Sequence, residues 1–270
     1  MRFISAFLII VLLAGCGSIN KILKSKDPHY KLRMAEQYYA KEKYSQAQVL
    51  YEDIMPFFKA EKEFEDIYYK YAYTAFYQRD YLNAENLFKT YLEVFPNSAR
   101  AEEIDYMRAF TFYKQSPKPA LDQTNTIKAM NMMQIFINTH PGSSRIPDAT
   151  AIINEARKKL EIKDYQSAQL YFDLGQFRAA AVSFTSLLDA YPDSEKADEY
   201  KFMVIKSYYR FAEMSVETKK NERFEKVIDE ANEFIDRFPD SKLKKDVEGL
   251  ITLSQNNLKI LSNEPTKTST

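Results

Sequence analysis

The stretch Tyr81-Leu82-Asn83-Ala84-Glu85-Asn86-Leu87-Phe88, closed by Phe95-Pro96-Asn97-Ser98, decides the fold. Its aromatic, small and aromatic residues stand at i, i+3 and i+7, which puts Tyr81, Ala84 and Phe88 on one face of a helix. The small residue lets a partner helix come close, and the large ones fill the groove beside it. Proline then ends the helix, and the serine two residues later is placed to cap the next.

The same reading repeats along the chain. Tyr44-Ser-Gln-Ala47-Gln-Val-Leu-Tyr51 and Phe177-Arg-Ala-Ala180-Ala-Val-Ser-Phe184 are close copies, while Thr126 to Met133 and Phe224 to Ala231 are weaker ones. The joint recurs as His140-Pro141-Gly142-Ser143, Tyr191-Pro192-Asp193-Ser194 and Phe238-Pro239-Asp240-Ser241, the prolines lying 45, 51 and 47 residues apart. Upstream of each second helix stands a first helix with its own small residue: Ala35, Ala72, Ala109, Ala168 and Ser207. The pattern resembles the tetratricopeptide repeat. It predicts an all-α fold, a superhelical solenoid of five helical hairpins whose stacked neighbours bury a core that no single hairpin could.

The spacing exceeds the roughly 34 residues of a standard repeat. Insertions account for part of the excess, Gln115 to Asn125 in the third hairpin and Ser215 to Glu222 in the fifth. An extended helix around Asp148 to Lys163 joins the third and fourth.

At the amino terminus Arg2, the apolar run Phe3 to Leu13 and the small pair Ala14-Gly15 make a secretory signal over residues 1–15. The run is too short for a membrane span, which needs about 20 residues. Leu13-Ala14-Gly15-Cys16 resembles a bacterial lipobox, which makes Cys16, the only cysteine, the site of acylation. Diacylglycerol plus a further acyl chain suffices for stable attachment, and no cysteine remains for a disulfide. Residues 16–28 then read as a lipidated, basic tether, 29–261 as the repeat domain and 262–270 as a disordered polar tail.

Composition narrows the function. Thirty-eight basic and thirty-eight acidic residues cancel, so no electrostatic footprint for nucleic acid is present. Five glycines cannot form a phosphate-cradling loop. The only histidines, His29 and His140, fall in different hairpins, so no metal site is expected. Ser241-Lys-Leu-Lys244 has the spacing of a penicillin-binding serine enzyme but lacks its companion motifs. No cofactor and no catalysis are expected.

Aromatic residues, 14% of the chain, gather on the first helices. Three before, one after and four after each small residue, the positions read Leu32, Glu36, Tyr39; Tyr69, Tyr73, Phe76; Tyr106, Phe110, Tyr113; Tyr165, Gln169, Phe172; and Val204, Tyr208, Phe211. Eleven of these fifteen are aromatic where composition alone would place about two. Tyr outnumbers Phe among them, which suits a partly wet surface. Tyr39, Tyr69, Tyr73, Tyr106 and Phe110 are therefore the candidate peptide-binding residues, facing a common channel fit for a segment that ends in an aromatic side chain. The competing reading makes the same rings core.

Lipobox, hairpins and joints together resemble the BamD (ComL) family of outer-membrane assembly lipoproteins. The residues that carry the likeness are Pro28-His29-Tyr30, the insertion from Ser116 through Pro117 and Asp122 to Thr126, and the link Ala156-Arg-Lys-Lys-Leu160. The resemblance implies a lipid-anchored scaffold on the periplasmic face of the outer membrane. Its partners would be the periplasmic repeats of a BamA-type barrel protein and unfolded barrel precursors, the latter met through the amino-terminal hairpins. A different tetratricopeptide-like envelope lipoprotein, a cell-division coordinator or a pilotin, is the alternative, and the insertion in the third hairpin argues against it.

Overall fold

A computed structural model describes residues 16–263, and their side chains from Ile19 onward. The signal segment 1–15 and residues 264–270 of the expected tail lie outside the described residues. Every regular element described is helical: α1 Cys16–Leu23, α2 Pro28–Ala40, α3 Tyr44–Phe58, α4 Phe64–Tyr77, α5 Tyr81–Val94, α6 Ala101–Gln115, α7 Thr124–Thr139, α8 Ile146–Asp173, α9 Phe177–Ala190, α10 Ala197–Glu213, α11 Glu217–Arg237 and α12 Lys244–Asn263. None of them is long and apolar enough to cross a membrane.

The helix ends follow local chemistry. Asp27 opens α2 by accepting hydrogen bonds from the backbone N–H groups of His29 and Tyr30 at 2.9 and 3.1 Å, with Pro28 in the first position, where its missing N–H costs nothing. The four residues before the joint prolines, Phe95, His140, Tyr191 and Phe238, share one backbone conformation, with φ near −121 to −130° and ψ near 58 to 63°. Proline excludes α geometry from the residue before it, so each second helix stops at the same place.

The joint serine does not cap the following helix directly, as the sequence suggested. Its Oγ accepts from the N–H two residues on, for Ser98 from Arg100 at 2.9 Å, and the helix starts a turn later. It also donates across the hairpin to the first helix: Ser98 to Glu65 at 2.6 Å, Ser143 to Glu102 at 2.5 Å, Ser241 to Asp198 at 2.6 Å, and Ser194 to Glu161. Each joint is thus tied to an acidic residue 33 to 43 positions earlier.

Two compact units divide the chain: residues 16–117 with 121–157, and 118–120 with 158–263. In the first, α2 pairs with α3, α4 with α5 and α6 with α7, each hairpin packing on the next. Its two cores center on Leu50, Tyr51, Ile54 and Phe58, and on Phe88, Tyr91, Ile104 and Phe136, all almost completely buried. Ala35, Ala47, Ala72, Ala84, Ala109 and Ala129 have no exposed surface, as expected of small residues at the helix crossings. In the second unit Ala168 of α8 packs with Ala180 and Phe184 of α9, and α10, α11 and α12 enclose Ile205, Val227, Ala231 and Phe234.

Four details differ from the sequence reading. First, the segment 16–28 is not a bare tether: α1 runs from Cys16, and Ile22 is 4% exposed within the first hairpin's core. Second, most of the expected insertion Ser215 to Glu222 is the start of α11, because it holds no Gly or Pro and is laced by Lys219–Glu222 and Lys220–Glu217 ion pairs. Third, Ser262, placed at the start of the tail, lies in α12. The fourth concerns register. Ser207 of α10 donates its hydroxyl back to the Met203 carbonyl, as Thr74 and Thr111 do to Tyr71 and Arg108, and those two threonines lie two residues past Ala72 and Ala109. Ile205, fully buried, therefore holds the place of the small residue, and Phe202, Lys206 and Tyr209 replace Val204, Tyr208 and Phe211 as the flanking positions.

Candidate functional site

The first unit gathers the five singled-out rings along three first helices. Tyr69 and Tyr73 on α4 lie 4.7 Å apart. Phe76, 6.3 Å from Tyr73, reaches Phe110 of α6 at 6.0 Å, and Phe110 stacks between Tyr106 at 5.9 Å and Tyr113 at 5.5 Å. Tyr39 of α2 joins through Tyr77, at 6.3 Å from it, and Tyr77 in turn lies 5.7 Å from Tyr73. Such pairs in offset and edge-on geometry add to what burial alone gives. The row is continuous.

Exposure divides the row. Tyr73 and Tyr106 are 5% and 6% exposed, so these two are core. Tyr39, Tyr69 and Phe110 are half-buried and packed against the same core. Tyr77, which the spacing rule passed over, is 45% exposed and stacks on Tyr44 of α3 at 4.6 Å. It follows Phe76 directly, and its neighbor on the second helix carries it onto the surface.

Charged groups hold the rings in place. Glu103 of α6 accepts the hydroxyls of both Tyr73, at 2.5 Å, and Tyr69, at 3.0 Å, tying α4 to α6. Burial pushes the Tyr73 hydroxyl well above the usual tyrosine range, and the Glu103 carboxylate adds to it, so the proton stays on Tyr73. Burial likewise raises Tyr39, with neighboring Tyr77 adding to the shift. Beside them runs a charge chain: Lys70 bridges Glu36 at 2.6 Å and Asp66 at 2.7 Å, and Arg100 meets Asp66 at 3.0 Å while lying 4.3 Å above the Tyr69 ring. Arg145 covers Tyr106 in the same way at 4.9 Å. Apart from Glu36, which the spacing places among the flanking positions, none of these partners was singled out from sequence, since Glu103 lies some 30 residues from the rings it touches.

The second unit repeats the motif sparsely. Tyr165 packs on Tyr200 at 5.7 Å, and Lys206 sits 5.4 Å above Phe172, where the first unit places Phe110 against Phe76. That equivalence supports the revised register of α10. Tyr208 and Phe211 instead line a cleft of about 420 Å³ with Arg178, Arg223 and Lys226, and Arg223 lies 3.9 Å above the Phe211 ring.

Cys16 starts α1, which places the lipidation candidate one short helix from the first hairpin's core. Among the described residues no cluster of three or more His, Cys, Asp or Glu could hold a metal ion.

Stacked antiparallel hairpins with a buried small residue at most crossings, and an aromatic row along the first helices, define a tetratricopeptide-like scaffold. A family model described as YfiO, outer membrane lipoprotein, matches residues 25–223, and the chain belongs to that family. A protein of Aquifex aeolicus (strain VF5) described as outer membrane protein assembly factor BamD is 24% identical over 263 residues, covering 96% of this chain and 85% of that one. Among solved structures, a TPR repeats protein from Bacteroides fragilis NCTC 9343 covers 86% of this chain and 100% of its own, at 13% identity and a TM-score of 0.40. The TPR2AB-domain:pHSP90 complex of yeast Sti1 covers 84% and 98%, at 10% identity and a TM-score of 0.38.

Proposed function

We propose that the protein is a scaffold of outer-membrane barrel assembly, held on the periplasmic face of the outer membrane by lipid on Cys16. It binds the periplasmic repeats of a BamA-type barrel protein and unfolded barrel precursors, and it performs no catalysis. The observation that carries the reading is the aromatic row of the first unit. Tyr39, Tyr69, Tyr77 and Phe110 keep part of their surface open on a frame fixed by Tyr73, Tyr106 and Glu103. Rigid, half-exposed rings offer contact area at low ordering cost, which suits an extended segment with aromatic side chains.

The test is purification of the full chain from membranes. Stoichiometric recovery with a large barrel protein bearing periplasmic repeats is the expected result. Recovery with division or pilus components instead would overturn it in favor of another envelope scaffold.

A further inference from the structure

The end of the first hairpin that carries α1 presents a surface distinct from the aromatic row. α1 packs against both α2 and α3. Ile19, Ile22 and Leu23 turn inward at i, i+3 and i+4, which leaves Lys21 and Lys24 in solvent. Antiparallel pairing sets the start of α2 beside the end of α3, where His29 meets Phe58 edge-on at 5.2 Å. Phe57, 65% exposed, and the exposed Lys26, Lys59 and Lys62 belong to this same end. Its acidic residues are Asp27, occupied in capping α2, Asp53, paired with Lys31 at 2.5 Å, and Glu61 and Glu63, fewer than the lysines, so the end is net positive.

From Cys16 to Ile22 the chain is helical throughout, about 9 Å at 1.5 Å per residue. An acylated Cys16 therefore has no loose tether on which to stand away from the hairpin. We propose that this end of the first hairpin docks on a phospholipid leaflet, with Phe57 entering the interface and the lysines meeting anionic headgroups. The first hairpin is then seated on the membrane, and the aromatic row is held at a fixed height above it. Acyl chains beside a basic patch are a recurrent pairing for stable attachment. The inference rests on the lipid anchor at Cys16 from the proposed function.

The experiment uses the full chain carrying Phe57→Cys, with acylation of Cys16 established first by mass spectrometry. A fluorophore is attached to the new thiol and the protein is reconstituted in phosphatidylethanolamine–phosphatidylglycerol vesicles. Aqueous iodide should quench it about threefold less than the same label at Leu82→Cys, a position 69% exposed on the second hairpin. The triple variant Lys21→Glu, Lys24→Glu, Lys26→Glu should abolish that protection while helical content stays unchanged. Equal quenching at both labels overturns the proposal. So does protection that grows with the protein-to-lipid ratio, which would mark a second copy as the occupant. If Cys16 proves unmodified, the anchor reading fails separately, and flotation of the labeled chain with the same vesicles decides. Salt-sensitive flotation, weaker with phosphatidylcholine, upholds the surface, and no flotation overturns it.

Discussion

At the scale of single residues, the first unit's aromatic row separates into rings that are buried and rings that keep part of their surface exposed. Tyr73 belongs to the first kind. Replacing it by Ala should cost about 3–5 kcal/mol, as for other buried aromatics, whereas Tyr73→Phe removes only the hydroxyl bonded to the Glu103 carboxylate and should cost about 1.5–3 kcal/mol. Urea denaturation followed by circular dichroism separates the two. Tyr39 and Tyr69 are better probes of binding, because their half-exposed rings can be cut back with less damage. The double variant Tyr39→Ala, Tyr69→Ala should weaken capture of a peptide ending in an aromatic residue at least tenfold if either ring is a hot spot worth about 2 kcal/mol. Unchanged affinity, read by fluorescence anisotropy, would remove these rings from recognition. Titration supplies a second check. Burial, and then Glu65, which accepts its hydroxyl, push Tyr91 up to about 12. Its folded value lies above the unfolded value of 10.0, so its contribution is fully present below pH 10.0 and is lost as pH rises through about 12. Glu230 runs the other way: burial raises it, but the hydrogen bonds and charges of Lys201 and Lys226 outweigh that and hold it below the usual range. Its share of stability is present above the unfolded value and disappears as pH falls through the folded one. Denaturation midpoints should therefore fall at both ends of the pH range, and a midpoint flat from pH 9 to 12 would contradict the tyrosine assignment.

At the scale of elements, three hairpins turn through the same left-handed residue: Glu42 at φ 56°, Arg79 at 63° and Gly175 at 73°. In each, the N–H of the next residue reaches back five positions to a carbonyl, Lys43 to Tyr38, Asp80 to Ala75 and Gln176 to Tyr171. Only Gly175 adopts this geometry freely. A Cβ there meets nothing within 4 Å, so Gly175→Ala isolates the backbone term and should cost about 1 kcal/mol, while Arg79→Gly should gain a few tenths or more. Thermal unfolding of the two variants should shift in opposite directions. The crossings are more demanding: Ala84→Leu or Ala180→Leu should overpack a site with no exposed surface and cost about 1–3 kcal/mol. These elements also mark what was legible in the sequence. Alanines and joint prolines announce themselves by spacing, because both answer to local geometry. The fifth hairpin misled because Ile205 fills the place of the small residue, and a buried serine two positions on resembled it. The joint carries the true register, since Pro96 to Ala109 and Pro192 to Ile205 are both 13 residues. The bonds from joint serines to acids 33 to 43 residues away have no local signal. Nor has the burial of Tyr73 and Tyr106, which depends on the neighboring hairpin.

At the scale of the whole molecule, the amino terminus connects chemistry to placement. Cys16 is the only cysteine in the chain, follows Leu13-Ala14-Gly15, and begins α1, whose Ile22 is already part of the first hairpin's core. Acylation there would fix the first hairpin to the membrane. No described helix is long and apolar enough to cross a membrane. Replacing the thiol by a hydroxyl tests this. Cys16→Ser should abolish metabolic acyl labeling and release the protein from the outer-membrane fraction, or leave it retained with its signal segment uncleaved. Its thermal unfolding should match wild type, because among the described side chains the first buried one of the core is Ile22. Fractionation and unfolding together discriminate the outcomes. A variant that still labels and floats with outer membranes contradicts the lipobox assignment. A variant that loses the label and also melts much earlier would show that α1 needs the bilayer to stay folded against the first hairpin. Labeling lost with stability intact is the expected pair, since packing within and between hairpins, rather than attachment, accounts for the fold.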